Sequence, residues 1–246
     1  MKLYKAEAVV LRAMDSGNGD KLMLLYSKEL GKIKAMAHGA AKPTSRKRGA
    51  VQLFSHSRFL ISRGRELDTI SQGELIEIFP FLWDNLKLLA QASYLAELVD
   101  AFTQEGEANG RLFAMLLHTL HSLTEDDGEL LVRIFEMRLI AWSGFLPALE
   151  HCANCQGPVN GRITFSPAFG GVLCEKCRET DPAAILLSRG ALENMKLLLA
   201  WPVEKLRRLK IDQSAANQIK QALQGYIRYT LEKDLKSAVF ANTYHY

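Results

Sequence analysis

Four cysteines fall in two pairs, Cys152/Cys155 and Cys174/Cys177, each enclosing two residues. A C-x2-C turn sets two thiolates on one side of a tight bend. A second such turn supplies the other corners of a tetrahedron, which suits zinc. Gly157, Pro158, Gly161, Gly170 and Gly171 let the chain reverse sharply here, and "RITFSPAFGGVLC" is expected to form a small hairpin leading into the second pair. A redox pair, or two incidental pairs of buried thiols, are the competing readings. Catalytic zinc is disfavoured because four thiolates leave no position open for water. His151 stands beside Cys152 as a rival ligand, but the four thiolates already fill the site. The expectation is one structural zinc per chain, held by Cys152, Cys155, Cys174 and Cys177.

No other constellation assembles an active site, so no enzyme is expected. The chain has no G-x-x-x-x-G-K-[ST], H-E-x-x-H or G-x-S-x-G, and the deaminase pattern H-x-E with P-C-x-x-C is absent. "DSGNGD" is glycine-rich but opens a strand, which argues against a phosphate cradle. His118 and His121 share one face of an apolar helix and read as core-edge or surface residues. Glu125, Asp126 and Asp127 sit at a helix start, where they favour the dipole.

Charge patterning is more informative. The 246 residues carry a net charge of +4, but residues 21–65 hold eleven Lys/Arg against the single acid Glu29, whereas residues 66–150 carry a net −11. Such asymmetry points to an anionic partner. The candidate phosphate-binding residues are Lys32, Lys34, Lys42, Arg46, Lys47, Arg48, Arg58, Arg63 and Arg65. Tyr26, Phe54 and Phe59 lie nearby in sequence, as single-strand binding by stacking requires, although each taken singly reads as core. No run of apolar residues reaches membrane-spanning length, and the N-terminus lacks a secretory pattern, so a cytoplasmic protein without membrane contact is expected.

The elements that position these groups change character near Pro80. Before it, five strands are expected over residues 3–14, 21–31, 32–40, 51–63 and 66–79, with Ile33, Ala35 and Ala37 alternating against Lys32, Lys34 and Met36. Five strands in so short a span suggest a small closed barrel, the OB fold being the commonest nucleic-acid-binding solution, although sequence alone does not separate it from an SH3-like barrel. After Pro80 the period becomes helical, over 83–103, 111–123, 129–144, 188–201 and 214–240, with Ser188 and Ser214 as N-caps. The expected class is α+β: an N-terminal OB-fold barrel at 1–80, then a helical domain at 81–246 interrupted by a four-cysteine zinc ribbon at 150–180.

Three stretches carry a resemblance: "EAVVLRAMDSGNGDKLMLLYSKELGKIKAMAHGAAKPTSR", "IAWSGFLPALEHCANC" and "YTLEKDLKSAVF". With these the chain resembles the RecO family of bacterial recombination mediators and DNA repair proteins, over essentially its whole length. The family's first motif usually has an acid in its loop where Asn18-Gly19 stand here. The resemblance implies binding of single- and double-stranded DNA, strand annealing and a nucleoid-associated location. It also implies partnership with RecR and with single-stranded-DNA-binding protein (SSB), and indirectly with RecA. The acidic tail of SSB, ending in phenylalanine, would need a cation beside an apolar pocket; Arg111, Arg133 and Arg138, among apolar helix faces, are the candidates, with pairing to Glu129 or Glu136 as the alternative. A zinc-ribbon transcription or translation factor, or an enzyme with an unrecognised site, are the other classes open to the sequence alone.

Overall fold

The structure is a computed structural model that describes residues 2–124, 126 and 128–238. Alternating apolar residues build five strands: β1 (Leu3–Asp15), β2 (Lys21–Ser27), β3 (Gly31–Ala37), β4 (His56–Ser62) and β5 (Asp68–Glu77). They close into a barrel in the order β1-β2-β3-β5-β4. All neighbours are antiparallel except β3 and β5, which run parallel through Ala35↔Asp68 and Met36↔Thr69. β1 pairs with β4 through its first half and with β2 through its second. The register shift between Val10 and Arg12 lets this one long strand bend around the barrel. Ala6, Ala8, Val10, Met23, Leu25, Ile33, Ala35, Phe59, Ile61 and Ile70 fill the interior. This is the OB fold expected from the sequence.

The chain divides by packing into two compact units: residues 1–125 with 237–246, and residues 126–236. The first contains the barrel, a short 3-10 turn (Pro80–Leu82), α1 (Leu86–Phe102) and α2 (Gly110–Ser122). Asn85 caps α1 by accepting from the N–H groups of Lys87 and Leu88, and Asn109 caps α2 in the same way through Arg111 and Leu112. The second contains α3 (Gly128–Trp142), β6 (Ile163–Ser166), β7 (Gly171–Leu173), a 3-10 turn (Arg178–Thr180), β8 (Ile185–Leu187), α4 (Arg189–Ala200), α5 (Val203–Leu206) and α6 (Gln213–Leu231). The strands form a sheet ordered β7-β6-β8, and Phe165 of β6 meets Tyr226 of α6 edge to face at 5.7 Å.

Several local expectations are corrected. Residues 51–55 are turns rather than strand, and β4 begins at His56. The cause is visible at Phe54, held at φ 64 and so unable to continue a pleat. Ser188 does cap α4, accepting from the Ala191 N–H. At α6 the cap is Asp212, accepting from Ala215, rather than Ser214. That helix stops at Leu231, where Glu232 turns left-handed at φ 52. Of the acidic run before α3, Glu125 and Asp127 lie outside the described residues.

Candidate nucleic-acid interface and metal centre

The four-cysteine site is built by backbone turns. The Cys152 N–H donates to the Gly157 carbonyl and the Gln156 N–H to the Cys152 carbonyl, both at 2.9 Å. The left-handed Gln156 (φ 60) completes the first knuckle. In the second, the Cys177 N–H donates to the Cys174 carbonyl at 3.0 Å. The hairpin of β6 and β7, paired through Thr164↔Leu173, Phe165↔Val172 and Ser166↔Gly171, delivers Cys174 to the first knuckle. There the Cys174 N–H reaches the Cys152 sulfur at 3.4 Å. The four Sγ atoms all lie within 4.8 Å of one another, and Cys155 and Cys174 are 3.8 Å apart. Four sulfurs around zinc at about 2.3 Å would lie about 3.8 Å apart, so the donor set fits a tetrahedral ion. Three of the thiols are buried and Cys155 is exposed.

The electrostatics agree with that fit. Burial opposes ionisation of Cys152, but the N–H groups of Cys155, Cys174 and Asn154 outweigh it and lower the thiol's pKa. Cys177 moves the other way, raised by burial and then by the neighbouring sulfurs. One thiolate is favoured over the other, and four thiolates this close would repel one another without a cation among them. His151 is exposed and pairs with Pro158 across an isolated bridge, outside the sulfur cluster.

The basic residues separate into two groups. Lys32 donates to the Asp100 carbonyl at 2.7 Å and meets its carboxylate at 3.1 Å, and Arg12 shares that carboxylate at 3.4 Å. Lys34 lies 2.6 Å from Glu105, whose carboxylate raises the lysine's pKa. Glu105 is fixed there by bridges to Gly31 and Lys32. Gly31 permits the approach: its φ is +67, and a Cβ would sit 2.0 Å from the Glu107 carbonyl oxygen. Arg58 faces Glu7 across β1 and β4 at 3.8 Å. Those three candidates are therefore partnered by acids.

Lys42, Arg46, Lys47, Arg48, Arg63 and Arg65 form no ion pair among the described residues. The first four stand on the segment between β3 and β4, a run of tight turns with Ser45 N–H on Lys42, Arg48 N–H on Ser45 and Val51 N–H on Lys47. Ala40, Ala50 and Val51 anchor this segment in the barrel core, while Lys42, Arg46 and Arg48 are exposed. Lys47 is half-buried and donates to the Ile70 carbonyl at 3.1 Å; burial lowers its pKa. At the other end Asp20 clamps the segment, accepting from the Gly39 N–H at 2.7 Å and meeting His38 Nδ1 at 2.7 Å. Those two contacts, Gly39 first, lower the Asp20 pKa. Arg63 lies over the Tyr4 ring at 5.5 Å. Tyr26, Phe54 and Phe59 are buried and belong to the core.

The three arginines considered for partner binding have different surroundings. Arg111 is exposed at the start of α2. Arg133 approaches the fully buried Glu136 at 2.9 Å within α3, at an angle that makes no hydrogen bond. Arg138 donates to the carbonyls of Leu198 and Trp201 at the end of α4, and burial lowers its pKa. Its guanidinium borders a cleft of about 320 Å³ lined by Ala141, Trp142, Trp201 and Pro202. His121 pairs with Glu77 at 2.8 Å and stacks edge-on to Phe79.

A closed five-strand barrel followed by helices and a four-cysteine knot defines an OB-fold protein with a ribbon inserted among its helices. The family model for the N-terminal part of recombination protein O matches residues 1–79, and that for its C-terminal part matches residues 84–238. A DNA repair protein RecO from Pelotomaculum thermopropionicum is 50% identical over 244 residues, covering 99% of this chain and 95% of its own length. One from Desulforudis audaxviator is 43% identical, covering 98% of this chain and 96% of its own. The RecO of Symbiobacterium thermophilum is 39% identical, covering 99% and 98%. The chain belongs to the RecO family of DNA repair proteins. No helix among the described residues is long and apolar enough to cross a membrane.

Proposed function

We propose that this chain is a non-enzymatic recombination mediator. It binds single- and double-stranded DNA, anneals complementary strands and, with RecR, helps place RecA on SSB-coated single strands in the cytoplasm, at the nucleoid. The observation that carries this reading is the anchored basic segment 42–48 on an OB barrel, whose exposed cations Lys42, Arg46 and Arg48 form no salt bridge among the described residues, although Lys42 lies in the field of Asp20. Cations held rigidly and left unpaired are available to phosphates, and neutralising two backbones lowers the repulsion that keeps complementary strands apart. The bases then pair without any covalent step by the protein. Arg63 and Arg65 extend the same set, while Lys32, Lys34 and Arg58 would have to exchange carboxylates for phosphates. The zinc, bound by Cys152, Cys155, Cys174 and Cys177, would hold the ribbon to its unit and supply no catalysis, since its four positions are filled. For the acidic tail of SSB, the cleft beside Arg138 offers apolar walls of Trp142 and Trp201 with a cation at the edge.

The test is annealing of complementary oligonucleotides, bare and SSB-coated, with the wild type and with K42A/R46A/R48A. Acceleration by the wild type and its loss in the variant supports the reading. Absence of acceleration by wild-type protein on either substrate refutes it.

A further inference from the structure

An indole left in water forgoes one of the largest apolar burials a fold can make. Trp83 is 54% exposed, although its backbone is firmly placed. Its N–H donates to the Pro80 carbonyl at 2.9 Å, and Asn85 caps α1 two residues later. The indole is supported by Phe54, with ring centroids 6.4 Å apart and planes inclined at 41°. Phe54 is itself buried and left-handed, its N–H bonded to the Val10 carbonyl at 2.9 Å. Surrounding contacts must over-determine such a backbone, so Trp83 rests on a rigid base.

Phe54 is also near the end of the segment that carries the unpaired cations. After Arg48 the chain lies against β5 and meets Trp83 at Phe54. Gly49 has Leu75 3.5 Å from its Cβ position, and Ala50 lies 2.9 Å from that of Gly73. Leu75 and Phe81 are exposed here too. The segment that carries Arg46 and Arg48 thus ends, six residues on, at the support of an exposed aromatic ring.

We infer that Trp83 is a stacking platform for an unpaired nucleobase of a single strand whose phosphates lie on Arg46 and Arg48. This rests on the DNA-binding reading above and adds to it a preference for unpaired bases. Phosphates alone would be served by the cations. A flat, exposed ring beside them matches a ligand whose π-faces are strung along a charged backbone. A duplex keeps those faces stacked on one another, so the platform favours single strands.

The experiment compares an oligothymidine with an abasic oligonucleotide of the same length, equal in phosphates but without bases. The wild type is expected to bind oligothymidine more tightly than the abasic strand. The W83A variant should lose about fivefold to a hundredfold of its oligothymidine affinity and bind the abasic strand as the wild type does. The W83F variant should retain much of the preference. Quenching of tryptophan fluorescence by oligothymidine should vanish in W83F and survive in W142F and W201F. Wild-type affinity of W83A for oligothymidine, or quenching that persists in W83F, overturns the inference. If the wild type binds both strands equally, stacking fails while phosphate binding stands. If it binds neither, the DNA-binding reading fails and this inference with it. If an acidic peptide quenches Trp83 and oligothymidine does not, the edge belongs to a protein partner and the inference is overturned.

Discussion

Two charge-matched triple variants separate cations that are available to DNA from cations that are occupied. K42A/R46A/R48A removes three charges that form no salt bridge among the described residues, and K32A/K34A/R58A removes three that face Asp100, Glu105 and Glu7. Each lowers the net charge by three, so any effect of the overall field is common to both. Each phosphate contact contributes about 0.7 to 0.9 to the slope of log K against log salt, so losing three lowers the slope by about 2.1 to 2.7. Between about 50 mM and 200 mM salt, the wild-type advantage over the first variant should shrink about twentyfold to fortyfold. The second variant should keep close to the wild-type slope, because its cations already neutralise carboxylates. The assay is fluorescence anisotropy of a labelled single strand at several salt concentrations, with thermal melts confirming that both variants are folded. An equal loss of slope in the two variants would refute the reasoning from ion pairing. An unchanged slope in the first would move the phosphates elsewhere, with Lys205, Arg207, Arg208 and Lys210 as the next basic stretch.

Elemental analysis should find one zinc per chain, and C174S should lower stability far more than DNA affinity per folded molecule, because metal binding at such sites is coupled to folding; metal-free protein with free thiols and an unchanged melt would contradict this. Replacing Arg133 by Ala removes the cation 2.9 Å from the fully buried Glu136, at a cost of about 3–5 kcal/mol in a denaturant titration, so lost SSB-tail binding in that variant must be corrected for unfolding. Gly31→Ala combines a left-handed backbone with a Cβ 2.0 Å from the Glu107 carbonyl and should cost about 1–3 kcal/mol by the same measurement. Asp20 has a folded pKa below its unfolded one, so its contribution is complete above the ordinary carboxylate range and fades as pH falls through the folded value. D20N should flatten that acid limb of the stability profile, and the protection factor of the Gly39 amide, its exchange relative to the intrinsic rate at each pH, should fall with acid only in the wild type.

The four-cysteine cluster was readable in advance because its information is local: two C-x2-C turns and the glycines of one hairpin lie within a short stretch. The barrel was readable because alternation such as Ile33-Lys34-Ala35 encodes which face is buried. What the residues concealed is long-range or conformational. Nothing near Lys32 and Lys34 announces that Asp100 and Glu105 will neutralise them, since ion-pair partners so distant meet only through the fold. Phe54 looks like a strand residue, and its left-handed backbone follows from tertiary contacts that no propensity records. Ser214 and Asp212 are both good caps, and only the observed start of the helix separates them. The exposure of Trp83 was hidden too, because a helical period over 83–103 does not say whether its first residue is buried.

The N–H of Ser237 donates to Glu97 at 2.8 Å, across 140 residues of chain. Residues 126–236 intervene and form a unit of their own. During synthesis at about 5–20 residues per second, α1 waits about 7–28 s for this partner to be made. The whole four-cysteine ribbon is translated in that interval. The first unit is therefore completed by a segment that emerges only after the second unit's chain has been made, and a ribosome stalled within α6 would hold an α1 still lacking this contact.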